Sequence, residues 1–254
     1  MLQGDKMVAV SVVSHGHGKM VSGLIAQLLE CPEVSRILIT KNISEELLIP
    51  TSPIIHVIEN KFPKGFGENH NFAFSEIKDE YFCPLNPDIR LLTNPFPQLI
   101  DSLKKHNAEL AAPMVLNELG GIEDSARYFP TITSLIKKLF LRIKGDYSLA
   151  ECRDTFSPEW VAGMFMFFKS SAYKKLNGFD NKFFLYYEDV DICVRLWRAG
   201  MRLVIDPSIC VVHDARRASR SNFSHMKMHL KSMLLYFFSH CGRLPKIPIG
   251  SEHE

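Results

Sequence analysis

The sequence predicts an α/β fold on a mostly parallel central sheet, and three observations carry that expectation. Short β-branched runs alternate with segments of helical periodicity through the first half of the chain. The runs are apolar throughout rather than alternating, as in strands covered on both faces. Polar residues collect just after those runs, where parallel sheets gather ligands.

The elements follow in order. Val8–Val13 is a continuous β-branched strand, and Val21, Leu24, Ile25 and Leu28 then mark one helical face. The run 35–40 (SRILIT) reads as a second buried strand and 54–60 (IIHVIEN) as a third. A helix opens after the glycine turn at 65–67, and a fourth strand ends at Asn86-Pro87-Asp88. Residues 95–106 form a helix with proline near its start, and 108–116 another strand. In the second half, 131–152 predicts a helix and then a loop. Residues 160–178 predict an apolar strand and a short helix stopped by Gly178. Residues 201–214 give two short strands around a Pro turn, the last ending at His213, and 224–240 a closing helix. The mixed second half is expected to complete the same sheet.

Composition excludes several classes. The 254 residues carry a formal net charge of +2, so no nucleic-acid partner is expected. Six cysteines are scattered without a CxxC pair, which argues against a zinc site or disulfide framework and fits a reducing compartment. The N-terminal apolar run lacks a secretory layout, and no stretch approaches the roughly 18 apolar residues of a membrane span.

Three places carry candidate chemistry. Asp88 follows a strand and a proline, so its carboxylate projects from a strand end. It suits a hard cation, and equally a simple turn. His213 ends another strand and gains meaning only if it meets Asp88. In FFLYYEDVDICVRLWRAG (183–200), Val190, Cys193, Val194 and Trp197 predict a helix over 189–199, ended by Gly200. Glu188 and Asp189 then sit at its N-terminus, where the helix dipole favours anions, and Asp191 can pair with Arg195 on the outer face. Capping explains those charges, but not the FFLYY run before them. An apolar wall raises a carboxylate's pKa and makes it a better base. The GFG turn at 65–67 can bring backbone N–H groups near phosphate, although it is not a dinucleotide fingerprint.

Taken together, VAVSVVSHGH, GFGENHNFAF, CPLNPDIRL, RYFP, WVAGMFMFFK, NGFDNKFFLYYEDVDICVRLWRAG and CVVHD resemble, in this order, family 2 glycosyltransferases of the GT-A fold. The similarity is greatest to bacterial rhamnosyltransferases of O-antigen and cell-surface polysaccharide assembly. It implies a GT-A domain over 1–214, with a nucleotide-sugar half at 1–115 and an acceptor half at 116–214. A basic amphipathic helical extension at 215–254 would follow.

The resemblance further implies inverting transfer from a nucleotide-diphosphate sugar. Asp88 and His213 would bind Mg²⁺ or Mn²⁺, and Asp189 would be the general base. Glu188, Asp191, Trp160 and Gly163 would attend the acceptor. Ser14, His15, Asn42, Gly67, Asn71, Asn86 and Arg127 would attend the donor. The favoured donor is dTDP-L-rhamnose, with a UDP- or GDP-sugar as the alternative; a catalytically silent glycan-binding protein is the other class. Family members carry Asp-Asn after the second strand, whereas this chain has Lys41-Asn42. The implied acceptor is a saccharide or a polyprenyl-diphosphate-linked glycan. The implied location is cytoplasmic, free or peripheral on the inner membrane surface. The basic, apolar C-terminal helix fits that surface, or equally a packed domain face.

Overall fold

The computed structural model describes residues 7–141, 153–214, 223–240 and 242–247. Ten strands and seven helices are found among them. Eight strands form one sheet: β1 (Val8–Ser14), β2 (Val34–Lys41), β3 (Ile55–Glu59), β4 (Tyr81–Leu85), β5 (Ile89–Leu91), β6 (Leu110–Leu116), β9 (Phe167–Lys169) and β10 (Leu203–His213). Their spatial order is β3-β2-β1-β4-β9-β6-β10-β5. The pairs β1–β2, β2–β3, β1–β4 and β6–β10 are parallel. Strand β9 is antiparallel to both β4 and β6, and β5 is antiparallel to β10. A small ribbon, β7 (Ala126–Arg127) with β8 (Trp160–Val161), stands apart.

Each face of the sheet is covered. Alternate residues of β1 point to opposite sides, as a period of two requires. Val8, Val10 and Val12 join α1 (Gly18–Leu29) and α3 (Phe96–Lys105) in one core. Ala9 faces the other core, which is filled by α2 (Phe66–Ser75), α5 (Ser170–Lys175) and α6 (Glu188–Arg198). Helix α4 (Ile132–Leu141) and the C-terminal α7 (Phe223–His240) complete the chain.

The structure departs from the expected elements in three places. Strand β3 lies at the sheet edge and is partly open to solvent, so its apolar run is not buried on both sides. The apolar run 160–169 is not one strand: β8 and β9 are separated by a turn at Gly163 and Met164. Residues 203–213 form a single strand, with a register break between Asp206 and Cys210 that accommodates Pro207.

In the order β3-β2-β1-β4 the chain runs from β1 outward to β2 and β3 on one side, and β4 is then added on the other side of β1, which makes the β1–β4 boundary a switch point. Ligands of open α/β sheets lie in the crevice at such switch points. Here the crevice is bordered by Ser14-His15 after β1 and by Asn86-Pro87-Asp88 after β4.

Candidate active site

Strand β5 explains how Asp88 reaches His213. It follows Asp88 directly and pairs with the end of β10, placing Ile89 opposite His213. The Asp88 carbonyl accepts a hydrogen bond from the Asp214 N–H at 2.8 Å. The Asp88 Oδ2 then lies 3.2 Å from His213 Nε2. The other ring nitrogen, Nδ1, is 2.7 Å from Glu123 Oε2.

Glu123 was not legible as a site residue. It is turned back by the Asn117–Gly121 reversal after β6, where Gly120 has φ +78° and Asn117 Oδ1 accepts the Leu119 and Gly121 N–H groups. The Glu123 N–H bonds the Val115 carbonyl at 2.8 Å, which sets its side chain beside the end of β10. Burial alone would lower the pKa of His213. The hydrogen bonds and charges of Asp88 and Glu123 override it and raise the pKa to about 9.

Asp189 stands in the first turn of α6. Its Oδ2 accepts the Gly163 N–H at 3.0 Å and its Oδ1 the Val190 N–H at 2.8 Å. The neighbouring Met164 carbonyl accepts the Asn86 N–H at 2.9 Å. The base candidate and the metal candidate are thus tied through one short turn. Two consecutive tyrosines, Tyr186 and Tyr187, precede α6 at φ +70° and +67°. Side chains rarely adopt this backbone region, and it costs roughly 1–3 kcal/mol per residue. The surrounding structure holds it: α2 docks on the segment through Phe66 N–H to Phe184 O at 2.9 Å, and α7 through Ser232 Oγ to Leu185 O at 2.8 Å.

Burial raises the pKa of Asp189, against the pull of the Gly163 and Val190 N–H groups and the Arg127 charge. Burial also raises Glu188 well above its usual range, and the Asp189 charge adds to this. Glu188 Oε2 is buried without a hydrogen-bond partner. Arg127 pairs with Asp124 at 2.7 Å and lies 5.4 Å from the Trp160 ring.

A family profile described as the N-terminal domain of galactosyltransferase matches residues 147–229, the stretch that carries Gly163, Asp189 and His213. Over 249 residues the chain is 31% identical to rhamnosyltransferase WbbL of Escherichia coli K12, covering 91% of this chain and 92% of that protein. The chain belongs to the family 2 glycosyltransferases. This glycosyltransferase is also 30% identical over 136 residues to N-acetylglucosaminyl-diphospho-decaprenol L-rhamnosyltransferase of Mycobacterium tuberculosis H37Rv, covering 49% of this chain and 43% of that one. Among solved structures, GalNAc-T7 with UDP, GalNAc and Mn²⁺ aligns at a TM-score of 0.62 and 13% identity, over 85% of this chain and 44% of that one. That likeness bears on the fold, which is GT-A as expected.

The donor set of the glycosyltransferase fits a divalent cation. Asp88 Oδ1 is buried with no partner, an open hard oxygen. Glu123 on His213 Nδ1 fixes the ring so that Nε2 points at Asp88, the arrangement by which a carboxylate orients a metal-binding histidine. Among the described residues no group of three or more His, Cys, Asp or Glu could itself hold a metal ion.

Other expected contacts are placed differently. Asn71 spends its side chain on Phe179 N–H, Phe179 O, Tyr173 OH and Asn181, so it clamps the 177–181 turn rather than reaching a donor. Gly67 is buried, and a Cβ there would come within 2.5 Å of Phe179 Cβ, so close packing by itself requires a glycine at this position. Asp191 is buried, not on the outer face. It pairs with Arg195 at 2.8 Å and with His240 of α7 at 2.7 Å, so both carboxylate oxygens are engaged within the protein. Trp160 is buried, with its indole N–H on the Tyr128 carbonyl.

Ser14, His15 and Asn42 do converge. Asn42 N–H bonds Ser14 O at 2.8 Å, and Asn42 Nδ2 lies 3.3 Å from His15 Nδ1. Ser14 is fully buried, whereas His15 is exposed. Lys41 pairs with Glu59 at 2.7 Å, which returns a carboxylate to this end of the sheet.

Two expected outcomes follow from these placements. Glu123→Gln weakens metal-dependent nucleotide binding roughly 10- to 100-fold, as loss of an orienting carboxylate does, read by calorimetry with and without Mn²⁺. Asp191→Ala leaves Arg195 and His240 without their buried anion and costs about 3–5 kcal/mol in urea unfolding. The Asp191 pKa is lowered: burial raises it, but His240 and Arg195 outweigh burial. Its contribution is therefore present above the ordinary carboxylate pKa and lost as pH falls through the lowered one.

Proposed function

We propose that this glycosyltransferase moves L-rhamnose from dTDP-L-rhamnose to a lipid-linked saccharide, with inversion at the anomeric carbon. The observation that carries the reading is the joint placement of Asp88 with His213 and of Asp189 on the adjoining Gly163–Met164 turn. The names of both rhamnosyltransferase relatives support the sugar, and that of the Mycobacterium tuberculosis protein supports a lipid-linked acceptor.

Asp88 and His213 would hold Mg²⁺ or Mn²⁺, which supplies positive charge against the leaving diphosphate. His15 and Asn42 border the nucleotide end of the crevice. Asp189 takes the proton of the acceptor hydroxyl as that oxygen attacks the anomeric carbon from the face opposite the diphosphate. One base and one stabilised leaving group suffice for a single displacement. Burial raises the Asp189 pKa, while the Gly163 and Val190 N–H groups fix its orientation and pull the pKa down.

A thermal-shift panel of dTDP-, UDP- and GDP-sugars with Mn²⁺ or Mg²⁺ tests the donor. The reading expects dTDP-L-rhamnose with metal to raise Tm most. A larger shift with a UDP- or GDP-sugar replaces the donor, and no shift with any sugar nucleotide overturns the reading.

A further inference from the structure

Helix α7 is amphipathic in the opposite sense to a helix that merely packs on a domain. Its inward face is polar and aromatic. Ser232, Tyr236 and His240 are buried one turn apart, bonded to Leu185 O, Pro130 O and Asp191. His225 bonds the Tyr186 hydroxyl at 3.0 Å, and the His229 ring lies against Tyr186 and Tyr187.

Leu235 and Phe237 pack against the core, but a second set of apolar residues points out. Phe223, Leu230, Leu234 and Phe238 are 64%, 51%, 60% and 92% exposed. Their spacing of seven, four and four puts them on one helical stripe. Lys227 and Lys231 are set into the same face, Lys227 with its ammonium 4.6 Å from the Phe223 ring.

From these residues we infer that the outward face of α7 is a docking surface for an anionic lipid bilayer. Large apolar side chains held in water along one stripe call for a cover. Helix α7 carries Lys227 and Lys231 and no aspartate or glutamate. That charge suits an anionic headgroup layer and opposes a second copy of the same face. The lysine stems lie along the apolar surface with their ammonium groups at headgroup level. No helix of the described residues is long and apolar enough to cross a membrane, so α7 lies on the surface. Its inward face holds the Tyr186–Tyr187 turn before Asp189. On the transferase reading, the bilayer therefore sits behind the element that carries the base; the docking itself does not depend on that reading.

Flotation of the full chain with lipid vesicles tests the inference, with no sugar or metal present. Vesicles of phosphatidylcholine doped with phosphatidylglycerol should float the protein, and pure phosphatidylcholine should not. Leu234→Asp with Phe238→Asp should abolish flotation at an unchanged Tm, since both side chains are exposed. Lys227→Ser with Lys231→Ser should weaken it roughly thirtyfold. Equal flotation with neutral vesicles, or no flotation with either, overturns the inference. So does retained binding by the Asp double variant, or a dimer in ultracentrifugation that this variant dissolves while vesicles bind nothing. Because donor binding is measured separately, failure here leaves the transferase reading standing, and the reverse also holds.

Discussion

Asp189→Asn is expected to lower kcat by about 10³-fold while leaving the donor Kd within a few-fold of wild type, a loss in the range of a missing general base. The substitution preserves shape but keeps only one acceptor oxygen, so one of the Gly163 and Val190 N–H bonds is lost, and a thermal melt separates that local cost from the loss of the base. Direction of charge makes a second part of the same expectation. The Asp189 carboxyl is raised above its ordinary value by burial, and transfer needs it ionised. The acid limb of kcat/KM against pH should therefore fall above the ordinary aspartate range. Arg127→Met removes a charge that holds this pKa down, so it should push the limb to higher pH. An acid limb that Arg127→Met leaves in place, or turnover retained by Asp189→Asn, assigns the base to another residue.

Asp88→Ala is expected to act on the other half of the reaction. It removes the open oxygen beside His213 and leaves that ring bonded to Glu123 alone. Donor affinity in Mn²⁺ should drop at least 10- to 100-fold, by analogy with metal sites that lose a supporting group. Affinity without metal should barely change. The contrast separates the two aspartates: one variant binds without turning over, and the other fails to bind. Identical donor affinity for wild type and Asp88→Ala in Mn²⁺ would refute the metal role.

Much of this was written plainly in the sequence, and the exceptions have physical causes. The spacing of Val190, Cys193, Val194 and Trp197 located α6 and put Asp189 in its first turn, where the structure has it. The strand end at Asn86-Pro87-Asp88 and the terminal His213 were visible because apolar runs stop there. Strand β5, which brings the two together, is three residues long, too short for any period to show. Glu123 reaches the site through a reversal and a pairing distant in sequence. Only the Asn117–Gly121 turn signal hinted at it.

Glycine and asparagine suit phosphate binding and tight packing alike, so the packing of Gly67 and Asn71 on Phe179 was not legible from their types. Asp191 and Arg195 were paired correctly from their i, i+4 spacing. Their burial depends on His240, nearly fifty residues later. Periodicity also showed that α7 has two faces, but not which face turns inward. Leu235 and Phe237 pack inward, but histidine, tyrosine and serine hydrogen bonds that leave no hydropathy signature fix much of the contact. The expected basic residues Arg216, Arg217 and Arg220 lie outside the described residues.

The central claim is that the metal-bound donor lies at Asp88 and His213, within reach of the turn that holds Asp189. Paramagnetic broadening by Mn²⁺ in the presence of a dTDP nucleotide tests it directly. The account predicts that the Asp88 amide and His213 ring signals broaden first, followed by Gly163 and Asp189, while signals at the far ends of the strands stay sharp. Broadening centred elsewhere, with the His213 ring and Gly163 amide untouched, would contradict it.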